Sequence, residues 1–164
     1  MPEVIEWLRA QVGFNLPQPD VQAILDFALL YSLFEAKALN EDGSPVRIIE
    51  AVERWHAAQR LQLEPFQASY DYFKDRYFPG GQEGPRFAEL NLSAVHRPRV
   101  ALALSDPNAT PMAAVTAVLL IVNRLRNNLM HGPKWAYGLV GQGDNFRNAN
   151  LALMAALDCN GGYG

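Results

Sequence analysis

Apolar residues recur along this chain at the three- and four-residue intervals of helices, and nowhere do they alternate with polar ones over the length of a strand. The longest apolar run covers 112–122. The Thr110-Pro111 pair in front of it supplies an N-cap followed by proline at the first helical position, so a central helix is predicted over 111–131. Upstream, the spacing predicts a short helix over 2–12 closed by Gly13, a long helix over 21–39 capped by Asp20, and an amphipathic helix over 46–60 opened by Ser44-Pro45. The long helix carries Ile24, Leu25, Ala28, Tyr31, Leu33, Phe34 and Ala38, which leave little polar face and imply burial on more than one side. An aromatic-rich helix is predicted over 65–78, short helical pieces over 87–92 and 95–104, and a last helix over 145–158 capped by Asp144. The loop 79–85 is too short for a domain linker. The glycine-rich tail 159–164 is expected to fray. This is the pattern of an all-α protein: one domain over 1–164 with its core in 20–158, a helical bundle of about five main helices plus short helical pieces.

Composition narrows the function. The chain of 164 residues is one domain's worth, and 49% hydrophobic with 19% charged residues is ordinary for a globular protein. A single cysteine, Cys159, excludes an internal disulfide and suggests a reducing compartment. No signal-peptide pattern opens the chain, and no uncharged run reaches the ~18–20 residues of a membrane span. A cytoplasmic protein without a membrane partner is expected. The net charge of -3 does not favour nucleic acid by bulk electrostatics, so any contact with RNA or DNA needs a local basic site. His56, His96, His131 and Cys159 show no metal-ligand spacing, and Gly141-Gln142-Gly143 is too short for a phosphate loop, so no metal or other cofactor is expected.

The chemistry gathers where the apolar run ends. Asn123, Arg124, Arg126, Asn127, Asn128 and His131 arrive within nine positions, and Gly132-Pro133 follows. On a helical wheel Val118, Val122, Leu125 and Leu129 form the core seam. Asn127 lies opposite that seam and shares its face with His131, flanked by Asn123 and Arg124. Arg126 falls nearer the edge of the core stripe and must reach across to join them. Leu120 and Thr116 continue the Asn127 face backwards, so that face starts apolar and ends polar, as suits a subunit interface with a polar pocket at one end. Guanidinium binds phosphate oxygens in a bidentate way, and a histidine can exchange a proton near neutral pH. The plainer alternative is that Arg and His in the last turn complement the helix dipole, with Gly132 as the C′ glycine and Pro133 as the stop.

Arg126-Asn127-Asn128-Leu129-Met130-His131 resembles the Arg-x4–6-His motif of the HEPN domain family (higher eukaryotes and prokaryotes nucleotide-binding), in which a polar residue follows the arginine. The apolar helix leading in, the Gly-Pro-Lys that follows and the closing Asn-Phe-x-x-Ala-Asn at 145–150 are similar too, and Ser32-Leu33-Phe34-Glu35 resembles the family's aromatic-acidic position. Met130 departs from the aromatic residue often found there. The resemblance implies a helical domain that dimerises, with two motifs meeting in one composite site. It implies a metal-independent endoribonuclease of toxin or phage-defence type. Arg126 and His131 would be catalytic, and Asn127 would support them. In such a mechanism His131 acts as general base on the ribose 2′-OH or general acid on the leaving 5′-oxygen, and Arg126 stabilises the pentacovalent phosphate. The product carries a 2′,3′-cyclic phosphate.

Around this motif, Glu35 is expected to pair with Arg126 or Arg124, while Asn128, Arg124 and Lys134 could contact substrate. Trp135 and Tyr137 read as core residues before base-stacking ones, and the aromatics of 65–78 as core. Arg97 and Arg99 make a small basic patch, and His56 and His96 read as surface or capping residues. The expected partners are an RNA substrate, a second copy of the chain, and an antitoxin or other regulatory protein. The competing reading is a non-catalytic HEPN-like module that binds a partner protein or a nucleotide. No helix-turn-helix spacing supports a DNA-binding regulator.

Overall fold

The computed structural model describes residues 3–13, 15–131 and 139–161, with the backbone alone for Val12 and His131. Seven helices build the described chain: α1 (Val4–Val12), α2 (Gln18–Ala38), α3 (Pro45–Ala57), α4 (Gln67–Tyr77), α5 (Arg97–Ser105), α6 (Pro111–His131) and α7 (Gly143–Asn160). Short 3-10 turns at Glu64–Phe66, Pro79–Gly81 and Ala88–Leu90 join them. There is no strand among the described residues, so the all-α bundle expected from the sequence is the fold. No described helix is long and apolar enough to cross a membrane.

α6 is the axis of the bundle. From Ala114 to Val122 every side chain is nearly or fully buried, with α3, α4, α5 and α7 packed around it. Its alanines at 114 and 117 let neighbouring backbones approach, and its valines, leucines and isoleucine fill the remaining space. This corrects one expectation. The face continued by Thr116 and Leu120 is not left open for a second subunit: both side chains are within 3% of full burial, because α3 and α5 close over them. A helical wheel gives directions around an axis and cannot say how many neighbours surround it.

The caps are partly as expected. Thr110 Oγ1 accepts the amide of Ala113 at 3.1 Å, a true N-cap. Asp20 and Asp144 do not cap. α2 starts earlier, behind Pro17, and α7 starts behind Gln142, so both aspartates sit in a first helical turn. There they share Arg147, at 3.0 and 2.9 Å. The pair favours the positive ends of both helices and ties α2 to α7. Gly143 leaves room for this pairing, since a Cβ there would displace the Asp20 carboxylate and the Arg147 guanidinium.

The tail is anchored up to 161. Asn160 accepts the Trp55 indole N–H through Oδ1 at 3.2 Å and donates from Nδ2 to the Lys37 carbonyl at 3.0 Å. Arg60 donates to the Asn160 carbonyl at 2.9 Å, and Arg54 to the Ala38 carbonyl at 3.0 Å. Orphan carbonyls at the ends of α2 and α7 thus receive side-chain donors, which is why Cys159 and Asn160 are held rather than frayed. Residues 162–164 lie outside the described residues.

The aromatics of α4 are core, as expected. Phe73 stacks on Tyr77 at 6.1 Å, and Phe78 meets Phe87 edge-on at 4.9 Å. Burial pushes the Tyr77 phenol up to about 12, and burial likewise raises Tyr31, Tyr70 and Tyr72. A raised phenol favours the fold while neutral, so this contribution is complete below the ordinary tyrosine value near 10 and is lost as pH climbs through about 12. Stability in urea should therefore fall steeply over that window. Tyr77→Phe should remove on the order of 2 kcal/mol of the alkaline loss. An unchanged pH profile in the variant would contradict the assignment.

Candidate functional site

Beyond Val122 the axis helix turns polar, and its side chains leave the core in different directions. Asn123 is the first and remains buried. Its Nδ2 donates to the Tyr31 hydroxyl on α2 and to the Gly43 carbonyl in the α2–α3 turn, each at 2.8 Å. That turn is tightly wound. The Glu35 carbonyl accepts the amides of Leu39 and Glu41 at 3.3 and 3.0 Å, and Asn40 and Glu41 adopt φ of 54° and 64°. Left-handed backbone at a glutamate costs of order 1 kcal/mol or more. The geometry it secures puts Gly43 directly against Glu35, where a Cβ would approach Oε2 to 2.9 Å.

One turn on, Arg126 points to α2. Its Nη2 lies 3.7 Å from the Glu35 carboxylate, its guanidinium carbon 5.6 Å from the Tyr31 ring centre, and its Nη1 donates to Asn127 Oδ1 at 3.1 Å. Of the two partners expected for Glu35, the structure selects Arg126. The pair is loose and half-buried, 33% and 26% exposed, so the guanidinium is held without being saturated. It lines an open cleft of about 370 Å³ between α2 and the end of α6, with Tyr31, Ser32, Glu35, Glu41 and Met130. Two carboxylates and one guanidinium face this cleft among the described residues.

Arg124 does not join it. Its Nε donates to the Leu90 carbonyl at 3.1 Å and its Nη2 to Asn128 Oδ1 at 3.3 Å, which moors α6 to the turn before α5. With Asn127, Asn123, Ser93 and His96 it lines a second groove of about 200 Å³. His96 thus stands beside two of the candidate residues, while His56 is exposed on α3. Arg97 is occupied, bonded to Glu83 at 2.8 Å and lying over the Phe87 ring at 4.6 Å, so the basic patch with Arg99 is only half available.

The structure thus brings Arg126 and Glu35 together; Asn127 accepts from Arg126 but lines the groove of Arg124, and Asn128 lies on a third side of α6. α6 stays helical through His131, so positions 126 and 131 ride one rigid element about 7.5 Å apart along its axis. The His131 side chain, Lys134, Trp135 and Tyr137 lie outside the described residues. Among the described residues, no three His, Cys, Asp or Glu side chains converge to hold a metal ion. The sequence reading did not find the roles of Tyr31, Asn123 and Gly43. Only Asn123 gave a signal, as the first polar residue after a buried run.

Asn123→Ala should lower stability by about 1–3 kcal/mol, because the Tyr31 hydroxyl and Gly43 carbonyl lose their donor. A double-mutant cycle with Tyr31→Phe in urea unfolding should show coupling of about 0.5–1.5 kcal/mol. Strict additivity would mean that the hydrogen bond contributes nothing.

Comparison of the chain with protein-family models, with curated proteins and with solved structures finds no match in any of the three.

Proposed function

We propose that this chain is a HEPN-like, metal-independent endoribonuclease of toxin or phage-defence type, with a site completed across a homodimer. Arg126 carries the reading. It is a guanidinium fixed by an aromatic ring, a carboxylate and an amide at the rim of an open cleft, with a third of its side chain free to meet a phosphate. In the proposed reaction a histidine takes the proton of the ribose 2′-OH, and that oxygen attacks phosphorus. The 5′-oxygen leaves with a proton from a second acid, and a 2′,3′-cyclic phosphate remains. Arg126 offsets the charge on the pentacovalent phosphate, Asn127 fixes its orientation, and His131 moves the protons.

Among the described residues Glu35 and Glu41 outnumber Arg126 in the cleft, so a phosphodiester there needs further positive charge. The surface beside the cleft supports a second copy that brings its own Arg126 and His131 to the site. An apolar strip adjoins the cleft: Leu25, Leu29, Leu33 and Met130 are exposed, Leu29 by 74%. A strip of this kind beside a site fits an interface.

The same carboxylates and strip favour the competing reading, a non-catalytic helical module that docks on a partner protein or nucleotide. RNA incubated in EDTA separates the two. The enzyme reading expects cleavage to 2′,3′-cyclic ends, untouched DNA, and a loss of more than about a hundredfold in Arg126→Gln and His131→Ala. It is refuted if wild type cuts no RNA or the variants cut equally well. A growth defect on expression, relieved by His131→Ala, would accompany the toxin role and the need for an antitoxin.

Leu29→Glu tests the composite site. It should convert a dimer to a monomer by light scattering and lower cleavage in step. A monomeric variant with full cleavage per chain would refute the shared site.

A further inference from the structure

A third depression lies on the other side of α6, against α4 and the start of α7, and has a different chemistry. Its cavity of about 50 Å³ is lined by Arg76, Arg86, Asn128, Gln142, Asn145 and Tyr77 over a leucine floor. Neither arginine has a carboxylate partner within ion-pair distance among the described residues. Arg76 donates a long bond, 3.5 Å, to the Tyr72 hydroxyl and lies 5.9 Å from the Tyr77 ring centre, and its Nε is buried with no hydrogen-bond partner among the described residues. A buried orphan donor on a cation is costly and calls for an acceptor.

The amides are oriented alike. Asn128 Oδ1 is taken by Arg124, and Asn145 Oδ1 by the Tyr72 hydroxyl at 2.9 Å. Asn145 Nδ2 donates in turn to Gln142 Oε1. Each amide oxygen is therefore occupied, and the amide nitrogens of Asn128 and Gln142 remain as donors. The first turn of α7 begins here and adds the positive end of its dipole. The Tyr77 phenol, neutral at physiological pH, can donate. One acidic side chain, Glu89, lines the cavity, and it is exposed. Two guanidiniums and a set of donors against one solvated carboxylate select an anion. The volume holds a few water-sized groups, which fits a phosphoryl group.

We propose that this cavity is an oxoanion site for a phosphoryl group, separate from the Arg126 cleft. Bidentate pairing to Arg76 and Arg86, with amide donors from Asn128 and Gln142, is its chemistry. The source is either a free or terminal phosphate or a phosphodiester of an RNA backbone. The site does not depend on the ribonuclease reading, and its test needs no cleavage.

Titrate the intact protein with inorganic phosphate by calorimetry, and with matched 2′-O-methyl oligoribonucleotides, which lack the attacking hydroxyl, carrying a 5′-phosphate or a 5′-hydroxyl. Saturable phosphate binding is expected, weakened more than about tenfold by Arg86→Gln and unchanged by Arg99→Gln. Arg86 is exposed, so its variant should fold even if Arg76→Gln does not. Loss on Arg86→Gln for the 5′-phosphate oligomer alone identifies a terminal group, and loss for both oligomers identifies a backbone phosphate. Absence of saturable phosphate binding, or equal weakening by Arg86→Gln and Arg99→Gln, overturns the proposal.

Discussion

The rest of the structure depends on the encirclement of α6. A helix buried on every side from Ala114 to Val122 cannot turn or slide, since each rotation would drive a side chain into a filled space. Whatever follows it is fixed in direction. Asn123 marks the transition. It is still buried; its amide nitrogen is satisfied by Tyr31 and Gly43, while its Oδ1 has no partner among the described residues. The same two bonds pull the α2–α3 turn against the axis. That brings Glu35 to Arg126 and opens the cleft between them. The core and the candidate site are therefore one mechanical unit: the helix that packs best also delivers the polar residues.

Because α6 has neighbours all round, its polar end is divided among them. Arg126 leaves towards α2, Arg124 and Asn127 towards the segment before α5, and Asn128 towards α4 and α7. Three depressions result, each lined in part by side chains of α6. This explains why residues adjacent in sequence have unlike surroundings. Arg126 stands among carboxylates, whereas Arg124 is spent on the Leu90 carbonyl and Asn128.

Much of the fold was legible because it rests on local rules. The helical spacing, the Thr110 cap and the aromatic core of α4 follow from periodicity and capping chemistry within a few residues. What the sequence concealed depends on distant pairing. Asp20 and Asp144 looked like caps, yet each is claimed by Arg147 from the first turn of its helix. The tail looked loose because it is rich in glycine, yet Asn160 reaches the ends of α2 and α3. The Thr116–Leu120 face looked free for a partner because a wheel has no neighbours in it. At the site, the pairing of Glu35 with Arg126 could be anticipated from a carboxylate in a largely apolar helix. The role of Gly43 could not, since it depends on a backbone carbonyl meeting a side chain eighty residues away.

The two arginine-bearing cavities differ in a way that net charge cannot describe. A protein with a net charge of -3 offers anions little general attraction, so any anion site must be made by local geometry. In the Arg126 cleft, Glu35 and Glu41 offset the guanidinium, and an anion gains there only when further positive charge arrives. In the Arg76–Arg86 cavity the offset is a single exposed carboxylate, Glu89, against two guanidiniums, and orientation adds to charge. The relay from Arg76 through Tyr72 and Asn145 to Gln142 runs in one sense, each group donating to the next. Such a chain polarises its members together and leaves a donor at its open end. Reversing it would turn acceptors into the cavity, with two guanidiniums already there to attract them. Arg76, which can only donate, sets the direction of the relay, and the Tyr72 hydroxyl accepts from it and donates onward to Asn145.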